Sequence, residues 1–332
     1  EIGGSGVLAI KPTSDEQWRV HLKKVSIKDR VFDGTVARRD DGVFTGDLQL
    51  SQFDIASLME KRSNANPDKE PVALNVNAKI DRLSWGAKRS LQQVDLALRY
   101  DGNHVQSLRV NGGVGNDQTL SIDFQPSPTG YALSVEASNF GETLKALDIA
   151  GNVTGGTFKI EAKRPSLKAP MEGNFSVGKY RLRKVPVFAR IFQVASLTGI
   201  VDAFDQEGLE FETLEGRFAY NIGLLRLEET RTYGSSIGIT TEGTLNLNKD
   251  TADLGGAVIP AYTVNRILGQ IPLLGQILTG GDNEGMFAAT YSVKGPLDDP
   301  DVSVNPLSAF APGLLRKFFG VFDSQTGDPD AP

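Results

Sequence analysis

The sequence predicts a mainly β protein whose sheet has one apolar and one polar face. Three observations carry this. Strict apolar–polar alternation recurs along most of the chain, and a period of two marks a half-buried strand. Turn signals punctuate the alternating runs at roughly 10–15 residue spacing, which suits antiparallel meanders. Glycine supplies 36 of the 332 residues, above the usual share of about 7%, as a turn-rich chain requires.

In chain order, "DDG" at 40–42 is an early turn signal. "KRSNANPDKEP" at 61–71 is polar and Pro-flanked and reads as a loop. In "VALNVNAKI", Val72, Leu74, Val76, Ala78 and Ile80 face one way and Ala73, Asn75, Asn77 and Lys79 the other. "DG" at 101–102, "NGGVGND" at 111–117 and "PSPTG" at 126–130 read as further turns. Between and beyond them, Leu120, Ile122 and Phe124 share a face, as do Tyr131, Leu133, Val135 and Ala137, then Phe158, Ile160 and Ala162, then Ile237, Ile239, Leu245 and Leu247.

Helical patterning is sparse. "FGETLKALD" (140–148) is one short helix. "VPVFARIFQVASLTGIVDAF" (185–204) is longer, with Pro186 in the first turn, where a missing N–H is harmless. Its Phe188, Ile191, Phe192 and Ala195 form a stripe continued by Ile200, Val201 and Phe204. A third apolar stretch, 267–281, is broken by Gly269, Pro272, Gly275, Gly280 and Gly281. A fourth, "PLSAFAPGLLRKFFGVF" (306–322), carries Leu314, Leu315, Phe318, Phe319 and Phe322 around Arg316 and Lys317. Both are too short and too broken to span a bilayer, which takes about 20 apolar residues. They suit either plugs at the end of a sheet or amphipathic helices in a membrane interface. The tail 323–332 reads as disordered.

Composition excludes several functions. The formal net charge of −6 leaves no basic excess to face nucleic acid. With no cysteine, disulfides, thiolate chemistry and Cys-based zinc sites are absent. The two histidines, His21 and His104, sit in no ligand-spaced motif, and we expect no cofactor and no metal. "GSSIG" (234–238) matches the G-x-S-x-G elbow, but that motif needs a strand–turn–helix context, and strand patterning follows Ser236. No histidine follows it either, so no hydrolase is expected. "DDPD" (298–301) reads as a turn rather than a calcium loop. Arg181, Arg183 and Lys184 form a small basic group that suits a solvated turn or contact with anionic headgroups.

A one-sided sheet must cover its apolar face. A sandwich or closed barrel does so with its own side chains, and periodicity by itself favours these. A third solution is an open, curled sheet whose lining holds lipid chains. Resemblance decides between them. "VIPAY", "IPLLG" with "LTGG", "YSVKGPLDDP" and "NPLSAFAPGLLR", together with the upstream "SVEASNFGETLKAL", "GNVTGGTFKIEA" and "VPVFARIFQVASLTGI", resemble the C-terminal region of AsmA-like proteins, in particular the YhdP branch, over roughly residues 130–322.

The resemblance implies a long curled antiparallel sheet forming an apolar groove, with short amphipathic C-terminal helices, in a protein of the Gram-negative envelope. It implies carriage of phospholipid between inner and outer membranes, with no catalytic residue. It also implies an inner-membrane anchor, absent from this chain, a periplasmic body, and a C-terminus toward the inner leaflet of the outer membrane. The expected organisation is groove repeats over 1–183, an AsmA-like segment completing the groove over 184–305, a terminal helix over 306–322, and the tail. The expected lipid-facing residues are Val72, Leu74, Val76, Leu96, Leu98, Leu120, Ile122, Phe124, Leu133 and Val135. The expected membrane contacts are Ile267, Leu268, Leu273, Leu274, Ile277, Leu314, Leu315, Arg316, Lys317, Phe318, Phe319 and Phe322. Helices at 187–204, 261–280 and 313–322 would gate or dock the exit end. The alternative is an envelope assembly factor whose apolar helices bind an outer-membrane protein or a partner subunit.

Overall fold

Alternation over nearly every segment yields strands over most of the chain. A computed structural model describes residues 7–10, 13–27, 30–56, 72–85, 89–115, 118–194, 204, 207–260 and 289–305. The chain divides into two compact units, 1–169 and 170–332.

The first unit is a ladder of β1 (Val7–Ile10), β2 (Glu16–Ile27), β3 (Arg30–Arg39), β4 (Phe44–Asp54), β5 (Leu74–Ser84), β6 (Ser90–Tyr100), β7 (Val105–Val114), β8 (Gln118–Ser127), β9 (Gly130–Ala137) and β11 (Phe158–Arg164). Each strand pairs with the next in that order. Between β9 and β11 lie α1 (Phe140–Ala146) and the short β10 (Val153–Gly155). Asn139 caps α1, its side chain accepting from the Glu142 N–H at 3.0 Å.

Two details differ from the sequence expectation. β4 and β5 pair in parallel, so the sheet is mixed. The connection 55–73 returns the chain to the end where β4 began, which a tight hairpin cannot do. "NGGV" (111–114), expected as a turn, forms the end of β7. There Gly112 lies against Val94, and a Cβ on it would stand 3.0 Å from Val94 Cγ2. Glycine here answers close packing rather than chain reversal.

The second unit pairs β12 (Met171–Val177), β15 (Thr213–Asn221), β16 (Leu224–Tyr233), β17 (Ile237–Asn246), β18 (Thr251–Pro260), β19 (Ala289–Pro296) and β20 (Asp301–Asn305), all antiparallel in that order. A smaller pair, β13 (Tyr180–Leu182) with β14 (Leu209–Phe211), flanks α2 (Pro186–Val194). Helix α2 opens on Pro186, as its sequence predicts, and its Ile191 and Phe192 are buried. Arg190 ties it to the β19–β20 turn by donating to the Pro300 carbonyl and to Asp299, each at 3.2 Å. Asp298 and Asp299 of "DDPD" therefore sit in a turn, Asp299 ion-paired, and Asp301 begins β20.

One device recurs in both units. On β2, Leu22 pairs with Gly34 and Val25 with Phe32, so β2 carries one extra residue, and Lys24 takes a positive φ of 49°. On β16, Leu227 pairs with Gly243 and Thr230 with Thr241, and Glu229 has φ 48°. The facing glycines also match. Gly34 has φ +126° and a Cβ there would fall 2.1 Å from the Asp47 carbonyl oxygen. Gly243 has φ +134° and would meet the Asp253 carbonyl oxygen at 2.2 Å. The sequences agree as well: Asp33-Gly34-Thr35-Val36 with Glu242-Gly243-Thr244-Leu245, and Asp47-Leu48 with Asp253-Leu254. A third one-residue bulge lies on β6 between Gln92 and Asp95, with Gln93 at φ 48°. Bulges bend strands and steepen twist. The protein is thus mainly β, its strands forming curled sheet that is mixed in the first unit and antiparallel in the second, and not closed into a barrel.

Candidate functional site

The registers assemble the alternating residues into rows that run across the sheet. In the first unit one row reads Ile10, Val20, Val36, Gly46, Val76, Leu98, Leu108, Phe124, Leu133, Ala162. The adjacent row reads Leu22, Gly34, Leu48, Ala78, Leu96, Val110, Ile122, Val135, Ile160. Neither contains a polar side chain. At about 4.8 Å per strand, the longer row extends about 43 Å along the sheet.

Covering of these rows is uneven. Toward one strand end, Leu50, Ile80, Val94 and Leu120 are 6%, 2%, 1% and 4% exposed. Ile55, Trp85, Ala146 and Phe158 pack against that cluster, as do Leu48, Val76, Leu96, Leu108, Ile122 and Val135 of the two rows, so the end is filled by the protein itself and grades into the rows. In the middle, Val36, Leu48, Val76, Leu96, Leu98, Leu108, Ile122, Leu133 and Val135 are only half-buried. A sandwich or a filled barrel would bury them. The face is therefore a packed wall along one margin and a half-buried apolar lane beside it.

The other margin is amphipathic. Trp18, Arg38, Phe44, Leu74 and Tyr100 lie in register there, and Tyr131 pairs with Arg164 further along. Trp18 meets Phe44 edge-on at 5.8 Å, and Phe124 stacks on Tyr131 at 5.3 Å. Aromatic rings with a polar end suit a boundary between apolar and wet surroundings.

The opposite face is mostly polar, with Val31, Ala37 and Ala97 among its apolar residues. Cross-strand pairs Lys79–Asp95 (3.9 Å), Arg109–Asp123 (3.3 Å) and Lys159–Glu136 (3.8 Å) are solvent-exposed. Such pairs contribute about 0–1 kcal/mol each and chiefly keep this face wet. A shallow cavity of about 360 Å³ lies on it, among Asp47, Asn77, Lys79, Asp95 and Arg109. Lys79 and Asp95 pair within it and Arg109 pairs with Asp123 beside it, and its lining also includes Leu48, Ala78 and Leu96 of the adjacent row.

The second unit repeats the pattern. Gly173, Phe218, Leu227, Gly243, Leu254, Val293 and Val302 form one apolar row, with Phe218, Leu227, Leu254 and Val302 half-buried. Nearby rows carry hydroxyls. The Tyr180 hydroxyl lies 2.9 Å from Thr232 Oγ1, which donates to the Thr213 carbonyl at 2.6 Å. Tyr291 donates to the Thr240 carbonyl at 2.8 Å and meets Thr241 Oγ1 at 2.6 Å. Burial pushes both phenols up to about 12, although each hydrogen bond pulls slightly the other way. Both stay neutral, so neither places a charge on the apolar face.

Of the residues expected to face lipid, Leu74, Val76, Leu96, Leu98, Ile122, Leu133 and Val135 lie half-buried on the apolar face. Leu120 and Phe124 are on the same face but buried. Val72 precedes β5 and is 50% exposed. The expected membrane contacts at 267–277 and 314–322, the helices at 261–280 and 313–322, and residues 195–203 of the longer helix lie outside the described residues. Ser236 sits in the turn between β16 and β17, strand to strand. The basic group is largely paired: Arg181 lies 3.2 Å from Glu210, and Arg183 donates to the Glu207 carbonyl at 3.0 Å. Arg38 and Arg164 were passed over in the sequence. The signal was present, since Arg38 continues the parity of Gly34 and Val36, and Arg164 that of Ile160 and Ala162.

A curled, one-sided sheet with part of its apolar face uncovered defines a β-groove protein. The family model described as YhdP protein matches residues 5–302, and the chain belongs to that family. Membership points to an AsmA-like protein of the cell envelope. No curated protein and no solved structure matches the chain. Among the described residues, no helix is long and apolar enough to cross a membrane.

Proposed function

We propose that this chain is part of a bridge-like lipid-transfer protein, and that its apolar lane carries the acyl chains of phospholipid between the inner and outer membranes. The observation that supports this most is the pair of all-apolar rows, most of whose central side chains are only half-buried. Apolar surface on this scale normally ends covered by something. Each acyl CH₂ that leaves water gains about 0.8 kcal/mol. Along uniform rows that gain changes little from strand to strand, so a chain can slide down a concentration gradient. The task calls for no catalytic residue, cofactor or metal, and the protein acts as a conduit in the periplasm. The assembly-factor alternative rests on the segments at 261–280 and 313–322, outside the described residues.

The test is mass spectrometry of the purified chain, together with transfer of labelled phospholipid between vesicles. Co-isolated phospholipid and protein-dependent transfer are expected, both reduced by Leu98→Glu with Ile122→Lys. A folded chain that carries no lipid and transfers none overturns the proposal.

A further inference from the structure

The amphipathic margin of the first unit holds two arginines on the apolar face itself. Arg38 lies on β3 between Trp18 and Phe44, with its guanidinium 5.5 Å from the Phe44 ring centre. Arg164 ends β11 with its guanidinium 5.5 Å from the Phe124 ring centre. Neither has a carboxylate within ion-pair reach among the described residues, and in both the Nε–H is buried without an acceptor. Arg164 spends one Nη1–H on the Leu167 carbonyl at 2.8 Å. Nearby arginines are neutralised: Arg19 is forked onto Glu16, and Arg39 lies 3.2 Å from Asp41. A buried donor on a charged group is costly to leave unmade, and an anion with two or more oxygens would satisfy it bidentately.

The geometry points to Arg38 and Arg164 as stations for the phosphate of a phosphate-bearing lipid, lying at the lip where headgroup meets acyl chain. This rests on the lipid-carrying reading of the lane. Distance supports it. From Phe44 at the lip to Leu50 on the packed wall is six residues along β4, about 20 Å at 3.3 Å each. The hydrocarbon of one leaflet is about 15 Å deep, half of the bilayer core. A lipid held by its phosphate at the lip would lay its chains across the half-buried rows and stop at the wall. The stations are seven strand steps apart, about 34 Å along the sheet. Headgroups would therefore be touched at intervals rather than gripped throughout, which leaves them free to move on.

The test loads the full chain from detergent with equimolar phosphatidylglycerol and diacylglycerol of identical acyl chains, and counts bound species by native mass spectrometry. The unsubstituted protein should favour phosphatidylglycerol by about tenfold, equal to about 1.4 kcal/mol. R38Q with R164Q should take up both lipids equally, with total lipid unchanged and the same circular-dichroism melt. R38K with R164K, which keeps the charges, should retain most of the preference. A glutamine variant that keeps the full preference overturns the assignment, as does equal uptake by the unsubstituted protein. If that protein binds neither lipid, the lane reading falls as well. An arginine-dependent thermal shift of the lipid-free chain by inorganic phosphate alone would assign the stations to a soluble phosphate and overturn the lipid assignment.

Discussion

Gly34→Ala tests whether the bulge device holds the curled sheet together. The new Cβ would lie 2.1 Å from the Asp47 carbonyl oxygen and 3.0 Å from Leu48 Cα. Both are backbone atoms of β4, so no side chain can swing aside. The strand must retreat by about 1 Å or more to restore van der Waals contact. That stretches the ladder around the Gly34–Leu48 pair, where each lost hydrogen bond costs about 1 kcal/mol. The φ of +126° adds about 1–3 kcal/mol for a residue with a Cβ. The sum is about 3–5 kcal/mol, a large share of the roughly 5–15 kcal/mol that holds a domain folded. The chain's two tryptophans, Trp18 and Trp85, both belong to the first unit, so urea unfolding followed by tryptophan fluorescence reads the effect there. Gly42→Ala is the control: its φ is +84° but nothing lies within 4 Å, so only the backbone cost of about 1–2 kcal/mol is expected. If Gly34→Ala costs no more than Gly42→Ala, the close approach of β3 and β4 does not set the fold, and the reasoning fails.

Three further outcomes follow from the same structure. Ile80→Ala should cost about 2–5 kcal/mol, because Ile80 is 2% exposed in the packed wall. Leu98→Ala, in the half-buried lane, should cost about 1 kcal/mol in the same urea assay, and equal losses would mean the lane is as tightly packed as the wall. Tyr180 and Tyr291 sit near 12 when folded and near 10 when unfolded, so the unfolded chain releases its protons first. Stability should be complete below about pH 10 and fall toward pH 12 by a few kcal/mol; a melt that shows no such fall, or the same fall in Y180F with Y291F, removes burial of these phenols as its cause. Ser236→Ala should leave any esterase background of the preparation unchanged, and loss of a measurable activity would show the turn to be catalytic.

Much of the site was legible because alternation is a local property. Leu74, Val76, Ala78 and Ile80 share a face whatever their strand neighbours are. The short helix at 140–146 and the Pro186 start of α2 were legible for the same reason, since caps and first-turn prolines act within a few residues. Other features depended on partners distant in sequence. Gly112 and Gly113 resemble a turn until β6 is placed beside them. The parallel pairing of β4 with β5 is invisible to a period-two count, which reads the same in either direction. Arg181, Arg183 and Lys184 stood out as a cluster, yet the structure pairs Arg181 with Glu210, 29 residues away.

By itself the sequence determined that this is a strand-rich chain with one apolar and one polar face, and which side chains lie on each, because the side-chain period of a strand is set by its own backbone. Only the tertiary structure decided which apolar side chains are covered and which stay half-buried. It also decided that matching bulges face matching glycines, and that two arginines without acidic partners among the described residues lie at the margin of the apolar face. Those are properties of register and packing, fixed by contacts between strands, and no window of the sequence contains both sides of them.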